Sequence, residues 1–345
     1  MNKKFIPLKR IRKHSPSPDK NLRLHRSEFG DSLKKNYNPD RYYPDSIKLL
    51  NSLAKFYRVK EENICIGLGA EGIIKDIYLT EYLKKKKLKI LTTAPNFFMY
   101  NYYAKLFNFN FNQVEIIDKN KNFINLEKLI NEIKKKKINF LILVNPSSPI
   151  EKFWTNQEIS KILKYCKKYK ILVLLDQVYN KTIQANFLKL FKQFDNLIIL
   201  NSLSKIFGLP GLRVGFCFSN IHTIEEINSS RLAIELSSNS IKLANKNIKN
   251  NKDIFNKKVL QIENARKYAL RQFEKLKIET INKNINSLTF FCKDSHKRDG
   301  IVNFLRKKKI YVNPVNTKYH YNLINVTTTN IKNLKIFFYY LKKIN

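Results

Sequence analysis

Short apolar runs alternate with helix-length segments over the first two thirds of the chain, and this alternation restricts the possible folds more than any other feature. Such runs are typical of strands buried on both faces, and helices of this length can connect parallel neighbours. The pattern therefore predicts an α/β fold with a mostly parallel sheet. We predict strands at 64–67, 89–93, 113–117, 139–144, 171–175, 197–200 and 213–217.

The pattern changes after residue 228. Two longer helices are predicted at 229–250 and 254–276, followed by short strands around 288–292, 310–312 and 323–326. These elements predict a smaller α+β domain. We therefore expect an N-terminal arm at 1–45, a large domain at 46–228 and a small domain at 229–345.

The formal net charge of +39 is of the size that often accompanies nucleic-acid binding. Most of this excess comes from lysine, and the lysine runs at 84–87 and 134–137 fall at predicted helix ends, where cations suit the helix dipole. The runs are not interleaved with aromatic residues, as a groove for single strands requires. We predict no dedicated nucleic-acid partner.

The sequence has neither an apolar run of 18 residues nor a signal-peptide pattern at its start. Its four cysteines are scattered and stand mostly in apolar surroundings. These features predict a cytoplasmic protein with reduced thiols, no membrane segment and no metal site.

Lys205 is the strongest candidate for a chemical role. It follows the predicted strand 197–200 and stands between Ser204 and a glycine-containing turn that leads to Arg213. Placing a charged lysine at the end of a buried strand costs free energy, so such a lysine indicates a chemical role. The pattern favours a Schiff base on Lys205, with Ser202, Ser204 and Arg213 holding a phosphate.

Other predicted strands also end at residues suited to ligand binding. Gly69 follows the strand 64–67 and opens a predicted helix, where main-chain N–H groups can bind an anion. Asp176 ends the strand 171–175. Ligands of parallel sheets lie beyond the carboxyl ends of the strands, so these residues and Lys205 predict one site.

The segment from Ser202 to Arg213 resembles the lysine motif of fold-type-I pyridoxal-phosphate enzymes, especially the histidinol-phosphate-aminotransferase-like branch of the class I/II aminotransferases. The family's other motifs are matched in the same order at 41–45, 64–74, 94–100, 145–150 and 172–179. The resemblance implies the PLP-dependent transferase fold of type I and the cofactor pyridoxal 5′-phosphate. It implies that Lys205 is the catalytic residue that carries the cofactor.

The resemblance also assigns roles around the cofactor ring. Asp176 pairs with the pyridinium nitrogen, Tyr179 hydrogen-bonds the phenolic oxygen, and Phe97 stacks on the ring. The phosphate is assigned to residues of the glycine turn and of the lysine segment: Gly69, Ala70, Glu71, Ser202, Ser204 and Arg213.

Two further matches are looser. Tyr43 corresponds to a tyrosine that reaches the cofactor phosphate of a partner subunit, which implies a homodimer. Asn145 begins a segment similar to Asn-Pro-Asn-Asn-Pro-Thr-Gly, and Ser148 replaces the family's second asparagine, which contacts the phenolic oxygen.

The substrate side departs from the family. Relatives carry one arginine that matches the Asn322–Leu323 pair here and another that matches Asn313, and an arginine fork binds a carboxylate better than a point charge does. His320 and Lys318 could supply a cation instead. The candidate substrate contacts are Arg26, Glu28, Asn313 and Lys318.

These features predict a PLP-dependent aminotransferase that moves an amino group between an amino compound, possibly phosphorylated or otherwise anionic, and a 2-oxo acid. Two alternatives use the same scaffold: a PLP-dependent decarboxylase or lyase, and a degenerate relative without catalysis. The absence of both arginines makes histidinol phosphate an unfavourable substrate.

Overall fold

The structure is a computed structural model that describes residues 43–180, 187–249, 251–281, 284–319, 322–328 and 330–344. The strands of its larger sheet are β1 (Ile64–Leu68), β2 (Lys89–Ala94), β3 (Asn110–Glu115), β4 (Phe140–Val144), β5 (Leu172–Asp176), β6 (Leu197–Ser202) and β7 (Val214–Phe218). Their order in the sheet is β1-β7-β6-β5-β4-β2-β3.

The larger sheet is mostly parallel, as the apolar runs predict. The strands β2 to β6 pair in parallel, whereas β7 runs antiparallel to both of its neighbours. The antiparallel direction of β7 was not predicted from the sequence, but the short connection from β6 to β7 explains it. That connection holds only turns and a short 3-10 helix at Pro210–Leu212, whereas a parallel neighbour needs a longer crossover.

Helices cover both faces of the larger sheet. The helices are α1 (Ile47–Tyr57), α2 (Gly69–Leu83), α3 (Met99–Leu106), α4 (Leu126–Lys136), α5 (Asn156–Lys168), α6 (Phe187–Gln193), α7 (Ile221–Ser229) and α8 (Ser238–Lys249). Alternate residues of β4 enter two different cores: Leu141 and Leu143 pack with residues of α1, α4, α5 and α8, whereas Phe140 and Ile142 pack with residues of α2, α3 and α7. This division explains why β4 is apolar at every position.

Three elements start clearly away from their predicted positions, and one of them is the strand predicted at 310–312, which runs at Asn313–Val315. The strand predicted at 113–117 is β3, which begins at Asn110, because it lies at the sheet edge and needs no continuous apolar run. The helix predicted at 229–250 begins only at Ser238. The intervening segment contains Arg231, which is buried and forms ion pairs with Asp76 and Glu235.

The smaller sheet contains β8 (Ser287–Phe291), β9 (Asn313–Val315) and β10 (Leu323–Thr327) in the antiparallel order β8-β10-β9. It is covered by α9 (Asn251–Lys275), α10 (Ser295–Lys307) and α11 (Ile331–Leu341). The core of this unit includes Ala265, whereas Ile241 and Ile248 of α8 belong to a core of the larger sheet. The domain bounds expected from the sequence, with a boundary after residue 228, stay a prediction.

The lysine runs lie at helix ends, as expected. Lys84 caps the C-terminus of α2, and Lys134, Lys135 and Lys136 form the last turn of α4. In the part of the chain that the structure describes, no helix has the length and apolar composition to span a membrane. The four cysteines are free thiols.

Candidate active site

Several predicted site residues meet at one edge of the larger sheet. Gly69 follows β1, Asp176 ends β5, and Ser202 ends β6. Because β7 is antiparallel, its first residues lie at this same edge, with Arg213 directly before them. The edge therefore gathers the glycine turn, the buried carboxylate, the lysine segment and the arginine.

Asp176 is a buried carboxylate held by two donors. The Tyr100 hydroxyl donates to Asp176 Oδ2 at 2.5 Å, and the Val178 main-chain N–H donates to Oδ1 at 2.9 Å. Burial raises the pKa of Asp176, and the two hydrogen bonds and the Lys205 charge offset part of that rise. A cation beside this carboxylate would offset the burial further, which suits a protonated pyridine nitrogen.

Lys205 lies on the turn that follows β6. Its Nζ is 5.5 Å from the centroid of the Tyr179 ring, and its charge acts on Asp176. The turn is closed by the Gly208 N–H, which donates to the Lys205 carbonyl at 3.1 Å. The structure thus brings together the three residues that sequence reasoning assigned to the covalent bond, the ring nitrogen and the phenolic oxygen.

The turn between β1 and α2 approaches β7 closely. Gly69 has a φ of +71°, which favours glycine, and a Cβ placed on Gly215 would lie only 2.4 Å from the Ala70 nitrogen. A side chain at position 215 would therefore displace the first turn of α2. This close approach presents the first N–H groups of α2 at the same edge as the lysine turn.

A guanidinium group lies next to this helix N-terminus, and two hydroxyl groups lie at the lysine turn. Ser202 Oγ lies 3.0 Å from Ser204 Oγ and accepts the Ser204 N–H at 3.1 Å. Arg213 Nη2 lies 3.4 Å from the Glu71 carboxylate, and a Cβ on Gly69 would be 3.0 Å from the same nitrogen. Arg213 is thus aimed at the turn, where it can bind a phosphate together with the serines.

Phe97 stands beside the Asp176 contact. The residue is 39% exposed, and its ring packs edge-on against the Tyr100 ring, with the centroids 6.0 Å apart. A Phe buried purely as core would not leave this much of its ring exposed. The exposure leaves surface on the ring for stacking with a planar ligand.

Residues 145–154 form a closed loop next to β5, which we call the Asn145 loop. The Asn145 N–H donates to the Asp176 carbonyl at 2.8 Å, and the Asn145 side chain accepts the Trp154 N–H and donates to the Trp154 carbonyl. Asn145 therefore shapes the loop. Ser148 lies half-buried within it, in the position of the family's second asparagine.

The predicted substrate contacts are not gathered as the ring and phosphate contacts are. Asn313 is exposed on β9 and pairs with Asn325 of β10, and Leu323 is fully buried. Burial raises the pKa of Glu115, and a hydrogen bond from the Lys318 main-chain N–H and the charge of Lys318 offset part of that rise. Lys318 therefore contacts Glu115 at the end of β3. Tyr43 is 52% exposed, and Arg26, Glu28 and His320 lie outside the described residues.

Sequence reasoning assigned no role to Tyr100, although this residue holds Asp176. The signal that could have found it is its spacing from Phe97, because residues three apart lie on one face of a helical turn. It also assigned no role to Thr289 and Asn325, whose side chains contact the Asn145 loop. No local pattern links those strands of the small domain to that loop.

These groups fit pyridoxal 5′-phosphate. They comprise an amine on Lys205, a buried carboxylate with a raised pKa on Asp176, a hydroxyl and guanidinium cradle at a helix N-terminus, and an aromatic face on Phe97. Together with a seven-stranded sheet of this order, they define a pyridoxal-phosphate-dependent enzyme of fold type I.

Comparison with known proteins gives the particular family. The chain belongs to the family of class I and II aminotransferases, whose profile matches residues 33–337. It is 29% identical over 318 residues to the histidinol-phosphate aminotransferase of Campylobacter jejuni (strain 81-176), a match that covers 89% of this chain and 85% of that protein. The cofactor and the class of enzyme predicted from the sequence are thereby confirmed.

Solved structures share the fold. The histidinol-phosphate aminotransferase of Sinorhizobium meliloti, in complex with pyridoxal-5′-phosphate, superposes with a TM-score of 0.77 at 20% identity, covering 88% of this chain and 83% of that one. The L-threonine-O-3-phosphate decarboxylase of Porphyromonas gingivalis superposes with a TM-score of 0.73 at 18% identity, covering 88% and 90%. The fold alone therefore does not separate transamination from decarboxylation.

Proposed function

We propose that this aminotransferase moves an amino group between an anionic amino compound other than histidinol phosphate and a 2-oxo acid. The observation that carries the cofactor chemistry is the grouping of Lys205, Tyr179 and Asp176 at the sheet edge, and the family match supports transamination. We further propose that the enzyme acts as a homodimer in the cytoplasm. The exposure of Tyr43 supports its contact with a partner subunit, and the free thiols support a reducing compartment.

Each residue of the site has a defined task in this proposal. The bound cofactor supplies an electron sink for the bonds around the substrate carbon. The Lys205 amine would hold the cofactor and, when free, would carry a proton to and from the substrate carbon. Asp176 keeps the ring nitrogen protonated, while Tyr179 and Ser148 donate to the phenolic oxygen.

The phosphate and the ring are held by separate groups. Ser202, Ser204 and Arg213 bind the phosphate together with the first N–H groups of α2, and Phe97 covers one face of the ring. These contacts position the cofactor, so that the Lys205 amine can reach both the substrate carbon and the bond it must re-form.

The substrate proposal rests on two positions. The family resemblance matches one arginine to the Asn322–Leu323 pair, of which Leu323 is fully buried between Phe291 and Val315, and another to Asn313, which carries only an amide. Charge-assisted hydrogen bonds contribute about 1.5–3 kcal/mol each, so losing two forks lowers kcat/KM for histidinol phosphate on the order of 10²–10⁴-fold. The relatives' named substrate is thus disfavoured here.

Two measurements test the proposal. Borohydride reduction of the yellow protein should fix a phosphopyridoxyl mass on Lys205, and Lys205→Ala should abolish that label while Lys105→Ala keeps it. A panel of amino donors with 2-oxoglutarate and pyruvate should then yield keto products without CO₂ release. Label on another lysine, CO₂ as the main product, or efficient use of histidinol phosphate would each contradict a named part of the proposal.

A further inference from the structure

The tip of the Asn145 loop is bound by the small domain. Thr289 Oγ1 of β8 donates to the Pro149 carbonyl at 2.5 Å. Asn325 Nδ2 of β10 donates to Thr289 Oγ1 at 2.8 Å and to Ser287 Oγ at 3.0 Å, and it lies 3.5 Å from the same carbonyl. Thr289 is fully buried and Asn325 is 7% exposed. A buried polar contact therefore joins the small sheet to this loop.

A second contact joins the far side of the loop to the same domain. Glu151 is 7% exposed, and its Oε2 accepts the main-chain N–H groups of Asn284 at 2.7 Å and Ile285 at 3.3 Å. These two residues directly precede β8. The loop is thus attached to the small domain at two points that flank Ile150, close to Ser148.

The loop is also closed internally. Ser147 Oγ donates to the Ile150 carbonyl at 2.6 Å and accepts the Lys152 N–H at 2.7 Å, and Asn145 bonds Trp154 at its base. A loop tied in this way moves as one piece. Its base is bonded to the Asp176 carbonyl of β5, so the placement of its tip depends on the groups that bind the tip, and those described here lie in and just before the small sheet.

The chemistry of the contact argues against simple packing. The inner face of the small sheet presents Ser287, Thr289 and Asn325, whereas the opposite face presents Leu288, Phe290 and Ile324 to an apolar core. Buried polar groups that satisfy one another favour a single arrangement and are costly to separate. Apolar residues would fill the same space without fixing the Pro149 carbonyl.

We propose that Thr289, Asn325 and Glu151 are positioning residues that hold the Asn145 loop so that the Ser148 hydroxyl reaches the phenolic oxygen of the cofactor. The small domain thereby controls a contact of the cofactor ring through a loop of the large domain. The inference rests on the proposed function for the role of Ser148, but the attachment of the loop is independent of it.

Hydrogen exchange in the cofactor-free protein tests the attachment. Thr289→Val keeps the volume but removes the donor to Pro149, so the Lys152 and Trp154 amides should exchange about tenfold faster, the equivalent of one lost hydrogen bond. Thr289→Ser keeps the hydroxyl and should behave as the parent, and amides in the middle of α2 should stay unchanged in both. Glu151→Ala tests the second attachment in the same way. Unchanged exchange of the loop amides in both Thr289→Val and Glu151→Ala would overturn the inference.

The absorbance of the bound cofactor tests the link to Ser148. A hydrogen bond to the phenolic oxygen stabilises the deprotonated form of the bound cofactor and so lowers the pH midpoint at which the cofactor's absorbance changes. Thr289→Val and Ser148→Ala should therefore each raise that midpoint. If Thr289 acts through Ser148, the double variant should shift no further than Ser148→Ala alone. Additive shifts would overturn the link. If the parent binds no cofactor, the proposed function fails, and the exchange rates alone decide the attachment.

Discussion

Tyr100 and Asp176 illustrate how single residues set the chemistry of the site. The hydroxyl of Tyr100 is buried and donates to a carboxylate whose pKa is already raised by burial. Burial and the contact with Asp176 also raise the pKa of Tyr100 well above its usual range, so that its proton stays in place. Tyr100 therefore acts as a permanent donor that favours the charged form of Asp176.

Tyr100→Phe should narrow the pH range of activity. The hydrogen bond lowers the pKa of Asp176, so its loss raises that pKa further, and the acidic limb of the kcat profile should move to higher pH. We expect kcat to fall about tenfold at neutral pH, the effect of losing one hydrogen bond to a charged group. Phe98→Leu, an exposed neighbour, is the control. An unmoved acidic limb would refute this role.

Asp176→Asn should retain the cofactor but lose turnover on the order of 10³-fold, because the ring nitrogen loses its counter-ion. Cofactor retention is measured by absorbance after dialysis, and turnover by product formation. Near-normal turnover in this variant would exclude the assigned role.

The same substitution should stabilise the cofactor-free protein at neutral pH. Burial raises the folded-state pKa of Asp176 above its unfolded value of about 3.9, so the folded state keeps the proton to higher pH. The carboxylate therefore destabilises the fold increasingly as the pH rises from the unfolded to the folded pKa. Asp176→Asn should raise Tm at pH 7 and leave it unchanged below pH 4. A lower Tm at pH 7 would contradict the sign.

At the scale of elements, the cradle depends on how closely β7 approaches the start of α2. A Cβ on Gly215 would lie 2.1 Å from the Gly69 carbonyl carbon, a contact between main-chain atoms that cannot be relieved by a rotamer change. The N-terminus of α2 and the segment that contains Arg213 are therefore held against each other. A shift of either element moves the phosphate contacts.

Gly215→Ala should weaken cofactor binding strongly and lower the free energy of unfolding by about 3 kcal/mol, the upper range for overpacking. Gly211→Ala is a matched control in the same segment, because a Cβ there meets nothing within 4 Å. The two variants are compared by cofactor titration and by urea unfolding. Equal behaviour of both would show that the close approach is unimportant.

The sequence predicts the positions of helices and strands better than it predicts which distant residues contact one another. The strands β4, β5 and β6 are apolar on both faces, so they stand out, whereas the edge strand β3 with its alternating asparagines is displaced from the expected position. The residues around Lys205 are close in sequence and were therefore recognisable. Thr289, Asn325 and Pro149 meet only through folding, and no spacing rule connects residues that are 140 positions apart.

At the scale of the whole molecule, the proposed homodimer would let a second copy of the chain complete the site. Tyr43 is half exposed at the start of the described chain. In a symmetric dimer each subunit gives the other the same group, so both sites depend on assembly.

A mixture of inactive variants tests this dependence. Lys205→Ala and Tyr43→Ala should each be inactive or weak alone. A mixed dimer holds one site with both groups intact if Tyr43 acts across the interface, so co-refolding equal amounts should restore about a quarter of the parent activity. Phe98→Leu replaces Tyr43→Ala in a control mixture. Failure to regain activity, with mixed dimers present by mass spectrometry, would assign Tyr43 to its own subunit.

The short antiparallel return from β6 to β7 has one more consequence. It places Lys205, the proposed covalent anchor, and Arg213, of the proposed phosphate site, on a single stretch of nine residues. Their separation is therefore a local property, like the span of a hairpin, and it does not depend on how the two domains are oriented. The chain could open and close around a substrate while the two ends of the cofactor remain in register.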